Sequence, residues 1–386
     1  MRTSLAALCL TVVASLSLAG CRSEDNGIFA GPGPGQTDAG AGWNGLGGAG
    51  TGEIAPTRAS SGKIAVSNGV PYAAFSDSMA GGKLSVMKYS GKAWANVGIA
   101  GFTPDYVDSF VLYVDQGTGT PYVAFTGSSS YLSVMEFNGV SWVNVGSSIS
   151  ASSSYYSSFD LVVSGGVPYV AFSDSSNQLH VQSLSGGVWT DLGGTYVSID
   201  GQSPSLTIFN GQVTVAFTDS SGSSYTGVFT IRSFTVTGWV TLATSSMTIG
   251  SSYQGTTSIT VSNSILYVIF YSDTYGPVVL KLNGGVLTSV GALGSISNGD
   301  EVEAVSGVVY NGVPYVAFDD ESRDDDPEPM AATVKYYDTA SGTWQLYAGY
   351  PDSCDIEDTY LAVDQTSGSL YFTYNDCNGA MTVKVK

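Results

Sequence analysis

Carboxylates crowd the last third of this chain. Asp319, Asp320, Asp324, Asp325 and Asp326 stand close together, and Asp355 lies downstream. Hard oxygen ligands at this density suit Ca²⁺, which takes about six to eight oxygens from carboxylates, carbonyls and water. The stretch is not an EF-hand loop, since it lacks the central glycine and the terminal glutamate. A solvated acidic insertion that keeps the chain soluble explains the same residues, and both readings are open. A second set, Asp77, Asp174, Asp219, Asp273 and Asp376, recurs at one place in a repeated phrase. That recurrence argues for a turn, because an aspartate side chain bonds its own backbone two residues on. The second copy has Gly127 at that place.

His180 is the single histidine. Histidine-based metal centres are thereby nearly excluded, and one Ser-His-Asp arrangement is conceivable. It stands in Leu-His-Val-Gln, where other copies carry Ser85 and Ser133, so it reads as a strand histidine rather than a base. Neither a phosphate loop nor a dinucleotide fingerprint occurs in a strand–helix context. Charged residues make up 12% of the chain and the net charge is −19. Nucleic-acid binding is disfavoured, because it needs a basic stripe to neutralise phosphates.

The elements that position these residues come from a repeat. Pro71–Asp77, Pro121–Thr126 and Pro168–Asp174 all read Pro-Tyr-x-Ala-Phe, and related phrases begin at Thr214, Tyr267, Tyr315 and Tyr371. Counting Tyr72, Tyr122 and Tyr169 as the first positions, the steps are 50, 47, 45, 53, 48 and 56 residues. A period in this range marks a solenoid, a propeller or an array. Each copy holds four short apolar runs separated by Gly, Ser and Asn turns, the grammar of an antiparallel meander. The second run is apolar at successive positions, so both its faces are buried. Its small residues, Ala74, Ala124, Ala171, Ala216 and Ala317, let a neighbouring sheet come close. The expected fold is all-β: a seven-bladed β-propeller of four-stranded antiparallel blades.

Tryptophans mark the fourth strand. Trp94, Trp142, Trp189, Trp239 and Trp344 each begin a short Trp-led run, while Leu287 substitutes in the fifth copy. The seventh copy stops after its third strand at Lys386, and the missing motif appears upstream as Trp43-Asn44-Gly45-Leu46-Gly47. This predicts that the last blade is closed by an N-terminal strand, which hides a sheet edge open to aggregation. The other reading of Trp43 is a Gly-rich linker.

Residues 1–20 combine a short basic start with the apolar run Ala6–Leu18, too short to span a membrane. They read as a signal peptide. Leu18-Ala19-Gly20-Cys21 resembles the lipobox of bacterial lipoproteins. The resemblance implies cleavage before Cys21, a thioether-linked diacylglyceryl group and a third acyl chain such as palmitate. Two or more chains anchor stably where one does not. Ordinary secretion with Cys21 as a thiol is the alternative. Arg22, where an aspartate favours inner-membrane retention in enterobacterial lipoproteins, points to the outer membrane or cell surface of a bacterial envelope. Residues 21–55 then form the lipidated cysteine and a Gly-rich tether, and 56–386 the propeller domain.

Removal of the leader takes Cys9, and lipidation uses Cys21. Cys354 and Cys377 remain, an even pair for an oxidising compartment. Cys354 precedes the first strand of the last copy and Cys377 follows its second, so antiparallel pairing brings them together. A disulfide closing such a loop is worth roughly 3 kcal/mol.

The units Tyr72–Asp77, Val86–Gly91 and Trp94–Gly98 resemble tandem repeats of exported bacterial proteins, over about residues 57–386. The resemblance implies a propeller without an assigned activity. Kelch, WD40 and quinoprotein signatures are absent, so no catalytic residue is carried over. The expected function is a lipid-anchored binding or scaffolding module for a glycan or protein ligand, acting as a monomer. The alternative is a glycan-active hydrolase or lyase using paired carboxylates. No cofactor is expected beyond Ca²⁺.

Overall fold

The structure is a computed structural model, which describes residues 42–47, 53–54, 59–128, 131–151, 158–221, 228–248, 257–297, 302–320, 331–348, 357–375 and 380–386. It shows seven antiparallel sheets arranged as blades, each a meander. Blade one is Ala59–Ser67, Val70–Asp77, Lys83–Tyr89 and Trp94–Asn96. Blade two is Val107–Val114, Pro121–Gly127, Tyr131–Phe137 and Trp142–Asn144, with Ile149–Ser150 as a fifth short strand beside the third. Blade three is Phe159–Ser164, Val167–Ser173, Leu179–Ser185 and Val188–Asp191. Blade four is Gly201–Phe209, Gln212–Asp219, Val228–Thr235 and Gly238–Thr248. Blade five is Ser258–Ser262, Ile265–Ser272, Gly276–Asn283 and Val286–Ser289, and blade six is Val302–Tyr310, Val313–Asp320, Ala331–Asp338 and Thr343–Leu346. Blade seven has Glu357–Val363, Leu370–Asn375 and Met381–Val385, and its outermost strand is Asn44–Gly45.

Closure is therefore made by the N-terminal segment. Asn44 pairs with Val385 and Gly45 with Lys384. The Leu46 N–H then donates to the Val383 carbonyl at 2.9 Å, and the Ile54 N–H to that of Met381 at 3.0 Å. Trp43 is buried against Tyr347 and Phe372. The first strands touch in a closed cycle, blade seven to blade one included.

The core is seven clusters, one between each pair of neighbouring blades. The alanines of the second strands, Ala74, Ala124, Ala171, Ala216 and Ala317, have no exposed surface. A larger side chain there would hold the next sheet away, so the repeated alanine is a packing requirement. Tyrosines ahead of them are largely buried, and desolvation pushes the phenols of Tyr72, Tyr122, Tyr267, Tyr315 and Tyr371 upward.

Tryptophans tie blade to blade at the rim. The Trp142 indole stacks on Phe102 with ring centroids 4.2 Å apart, and its N–H donates to the Val97 carbonyl of blade one at 2.7 Å. Trp239 donates to Leu192 of blade three at 2.9 Å, Trp344 to Val290 of blade five at 3.2 Å, and Trp94 to Leu46. Trp189 takes the same place beside Gly146, with its buried N–H unpaired. A glycine follows the accepting residue at Gly98, Gly146, Gly193 and Gly291, each with a left-handed φ of 72° to 88°. A Cβ on Gly98 would lie 3.1 Å from Trp142 Cδ1, and one on Gly146 2.7 Å from Trp189 Nε1. Left-handed glycine thus ends the outer strand and makes room for the next indole.

Candidate functional site

The first strand of each blade is an inner edge whose outward N–H groups need partners other than its own sheet. Opposite one shared second-strand position, alanine in five blades, Ile269 in blade five and Thr373 in blade seven, are Lys63, Val111, Asp160, Ser205, Ser258, Ser306 and Tyr360. Several accept a bond from the following blade. The Leu206 N–H donates to Asp160 Oδ2 at 2.7 Å, Ile259 N–H to Ser205 Oγ at 3.2 Å, and Leu361 N–H to Ser306 Oγ at 3.0 Å. Asp160 also accepts from Ser205 Oγ at 3.1 Å and from the Leu161 N–H at 2.8 Å. Desolvation pushes its carboxyl up to about 6, while these donors and Lys63 pull the other way. Burial and the Asp160 charge push the Tyr360 phenol up to about 12, and Lys63 Nζ sits 4.7 Å from the centre of that ring. This girdle is built for cohesion. Its carboxylate is occupied by donors.

One end of the ring is formed by the connections from second to third strand and from each blade to the next. The recurring aspartates lie there. Met79 N–H donates to Asp77 Oδ1 at 3.0 Å, Ser176 N–H to Asp174 Oδ1 at 2.8 Å, and Ser221 N–H to Asp219 Oδ1 at 3.0 Å. Asp77 also accepts from Ser85 Oγ at 2.8 Å. Gly127 departs from the set for a steric reason: a Cβ there would stand 2.3 Å from the Tyr106 carbonyl oxygen. Blade two instead uses Asp105, which accepts from Ser128 Oγ and the Tyr106 N–H, and these bonds hold its carboxyl below the usual range.

His180 lies at the same end, at the start of the third strand of blade three. Its Nδ1 is 3.0 Å from Asp191 Oδ1 and its Nε2 3.5 Å from Asp174 Oδ2. The ring stacks on Phe172 and meets Tyr196 edge-on, while Gln182 Nε2 also donates to Asp191. Both nitrogens face carboxylates, which leaves neither for activating a serine hydroxyl. The arrangement orders a surface rather than a nucleophile.

That surface exposes the aliphatic side chains Met79, Ile99, Ile199, Val228 and Leu293 together with tyrosines. Tyr106, Tyr131, Tyr196 and Tyr275 are 44%, 51%, 37% and 37% exposed. Tyr106 precedes the first strand of blade two and Tyr131 opens its third. Tyr196 lies in the connection from blade three to blade four, and Tyr275 in the second-to-third turn of blade five. All four belong to one end of the ring. At the opposite end the exposed large side chains among the described residues are all aliphatic: Val140, Val188, Val236, Ile265 and Val286. Sequence reasoning found the aspartates of this end but missed its tyrosines, which occupy no common position in the repeat. Their signal was an aromatic residue within or beside a turn.

The calcium candidates are largely beyond the described residues. Asp324, Asp325, Asp326 and Asp355 lie outside them, as do Asp376 and the cysteines Cys21, Cys354 and Cys377. Asp320 ends the second strand of blade six, and Asp319 is buried within it, opposite Glu303 on one side and Ala332 on the other. Among the described residues no group of three or more His, Cys, Asp or Glu is placed to hold a metal ion. Asp338 and Asp364, in the same acidic third of the sequence, sit in turns at the other end of the ring.

A scan against models of protein families finds no match, and a search of curated proteins finds none either. Solved structures do resemble the chain. A triple arginine-to-alanine mutant of AofleA from Arthrobotrys oligospora aligns with a TM-score of 0.50 at 11% identity, covering 79% of this chain and 89% of that one. A puromycin-hydrolyzing peptidase from Mycobacterium tuberculosis aligns at 0.51 and 11% identity, over 90% of this chain and 56% of the peptidase. The Aleuria aurantia lectin, a six-bladed propeller that recognises fucose, aligns at 0.49 and 12% identity, over 76% of this chain and 95% of the lectin. At these identities the likeness is one of fold, and the present chain has seven blades.

Proposed function

We propose that the chain is a carbohydrate-binding module, held on a bacterial envelope by a lipid on Cys21, with neutral glycans as its ligands. The observation that carries the reading is the placement of Tyr106, Tyr131, Tyr196 and Tyr275 on a single end of the ring. An exposed phenol ring offers a flat apolar face to the C–H face of a sugar, and its hydroxyl keeps a polar edge in water. Carboxylates at the same end, Asp105, Asp174 and Asp191, supply acceptors for sugar hydroxyls. The net charge of −19 works against sialylated or uronic-acid glycans, because like charges repel across a weakly screened gap. His180, fixed between two aspartates and beside Tyr196, stiffens one such platform.

The test uses the Cys21→Ser chain, which keeps every residue of the propeller. It should appear in the soluble fraction, whereas wild type stays with membranes; unchanged membrane association would remove the anchor from the reading. On a glycan array it should retain neutral oligosaccharides, and Tyr106→Ala with Tyr131→Ala should weaken that binding at least tenfold, about 1.4 kcal/mol. No glycan retained, or binding untouched by the tyrosine changes, would overturn the assignment.

A further inference from the structure

The rim junction between blades four and five differs from the others. In six junctions an indole from the later blade lies against the earlier one: Trp94, Trp142, Trp189, Trp239, Trp344 and Trp43. In blade five the residue at that place is Leu287. The strand partner at this place is a ring in four blades, Tyr89, Phe137, Phe234 and Tyr337, and a leucine in two, Leu184 beside Trp189 and Leu282 beside Leu287. The residue after the accepting position is here Ala243, as it is Ala348 in blade six, but the outer strand of blade four does not stop there and runs for 11 residues to Thr248. A groove of about 460 Å³ opens at this junction, lined among others by Leu242, Ala243, Met247, Leu280, Val286 and Leu287.

The structure assigns this groove as a binding site for a flat aromatic ligand of indole or phenol size that carries one N–H or O–H donor. Its volume falls within the range of about 300–1,000 Å³ usual for ligand pockets. The chemistry of the occupant is written in three other junctions, where the indole of Trp142, Trp239 or Trp344 packs between the blades and donates to one backbone carbonyl at 2.7–3.2 Å. The corresponding carbonyl here is that of Leu242, and Leu287 has no donor to offer it. An aromatic ring entering from solvent would restore both the apolar contact and the hydrogen bond.

The site lies on the outer rim, away from the tyrosine-bearing end, so it stands or falls separately from the glycan reading. Indole titrated into the full-length Cys21→Ser protein should shift the methyl resonances of Leu242, Ala243, Met247, Leu280, Val286 and Leu287 saturably by about 10 mM. N-methylindole, which lacks the donor, should bind several-fold more weakly. Leu287→Trp combined with Ala243→Gly rebuilds the common junction; it should raise the melting temperature and abolish the shifts. Leu287→Phe fills part of the groove without altering blade four and should weaken binding at least threefold, so a result is obtained even if the double variant does not fold. Absence of saturable shifts in wild type, or shifts that survive the groove-filling changes, would overturn the assignment.

Discussion

A carboxyl group in the girdle of first strands gives the molecule a measurable acid response. Asp160 titrates near 6 when folded, against an ordinary value of 3.8, with desolvation as the leading cause. The folded state therefore binds more protons than the unfolded state between those values, and stability falls as pH rises through that window. The whole effect is at most about 3 kcal/mol, since each tenfold change in proton affinity is worth about 1.4 kcal/mol. Against desolvation act the Leu206 and Leu161 N–H groups, the Ser205 hydroxyl and the Lys63 charge. Asp160→Asn keeps an acceptor for the Leu206 N–H but cannot ionise. Its urea midpoint relative to wild type should rise between about pH 4 and pH 7.5, and a constant difference would count against this account. Asp105 and Asp338 respond on the other side, because hydrogen bonds from Ser128 and Ser341 lower them, and their contribution disappears as pH falls. A glycine gives a second prediction at this scale. Gly98 has φ 78° and no room for a Cβ beside Trp142. Gly98→Ala should cost about 1–2 kcal/mol by left-handed strain alone, whereas Gly91→Ala, with open space at its Cβ, should cost the strain without the clash. Equal losses in calorimetry would mean that the indole does not sense the glycine.

Among elements, the outer strands are the informative ones. Trp142→Ala removes a stacked indole and its bond to Val97, and chemical denaturation should register a loss of about 3–5 kcal/mol. The closing strand is short, yet it carries Trp43 into a cluster with Leu361, Phe372 and Tyr374. Deleting residues 22–55 should lower the melting temperature by about 5 °C or more and promote association through the bared edge of Met381–Val385. An unchanged melting temperature would leave the strand without an energetic role. The repeated Pro-Tyr-x-Ala-Phe phrase made the second strands legible in the sequence, because each copy obeys the same packing constraint. Trp43 was legible for the same reason. The girdle was not. Lys63, Asp160, Ser205 and Tyr360 share a position but no chemistry, and a register shift precedes that position in several blades. His180 and its two aspartates were equally hidden, since only the sheet pairing brings residues 174, 180 and 191 together. Leu287 stood out as a missing tryptophan, but the groove it lines with Leu242 and Ala243 needed the contact between blades to become visible.

At the scale of the whole molecule, the ring separates its functions by direction. Cohesion lies toward the axis and between blades, while the exposed tyrosines gather at one end. The closing strand adds a temporal order. Asn44 pairs with Val385, residues more than three hundred positions apart, whereas the other blades pair strands that lie close together along the chain. Contacts of low sequence separation form sooner, and those that close a long loop form later. Six blades can thus assemble as the chain emerges, but the seventh must wait for Met381–Val385 before the N-terminal strand has anything to bind. Burial of Trp43 should accordingly be the last fluorescence change in refolding. A chain truncated before Met381 leaves the final blade unfinished and the closing strand without a partner, so the ring closes only in molecules that contain Met381–Val385.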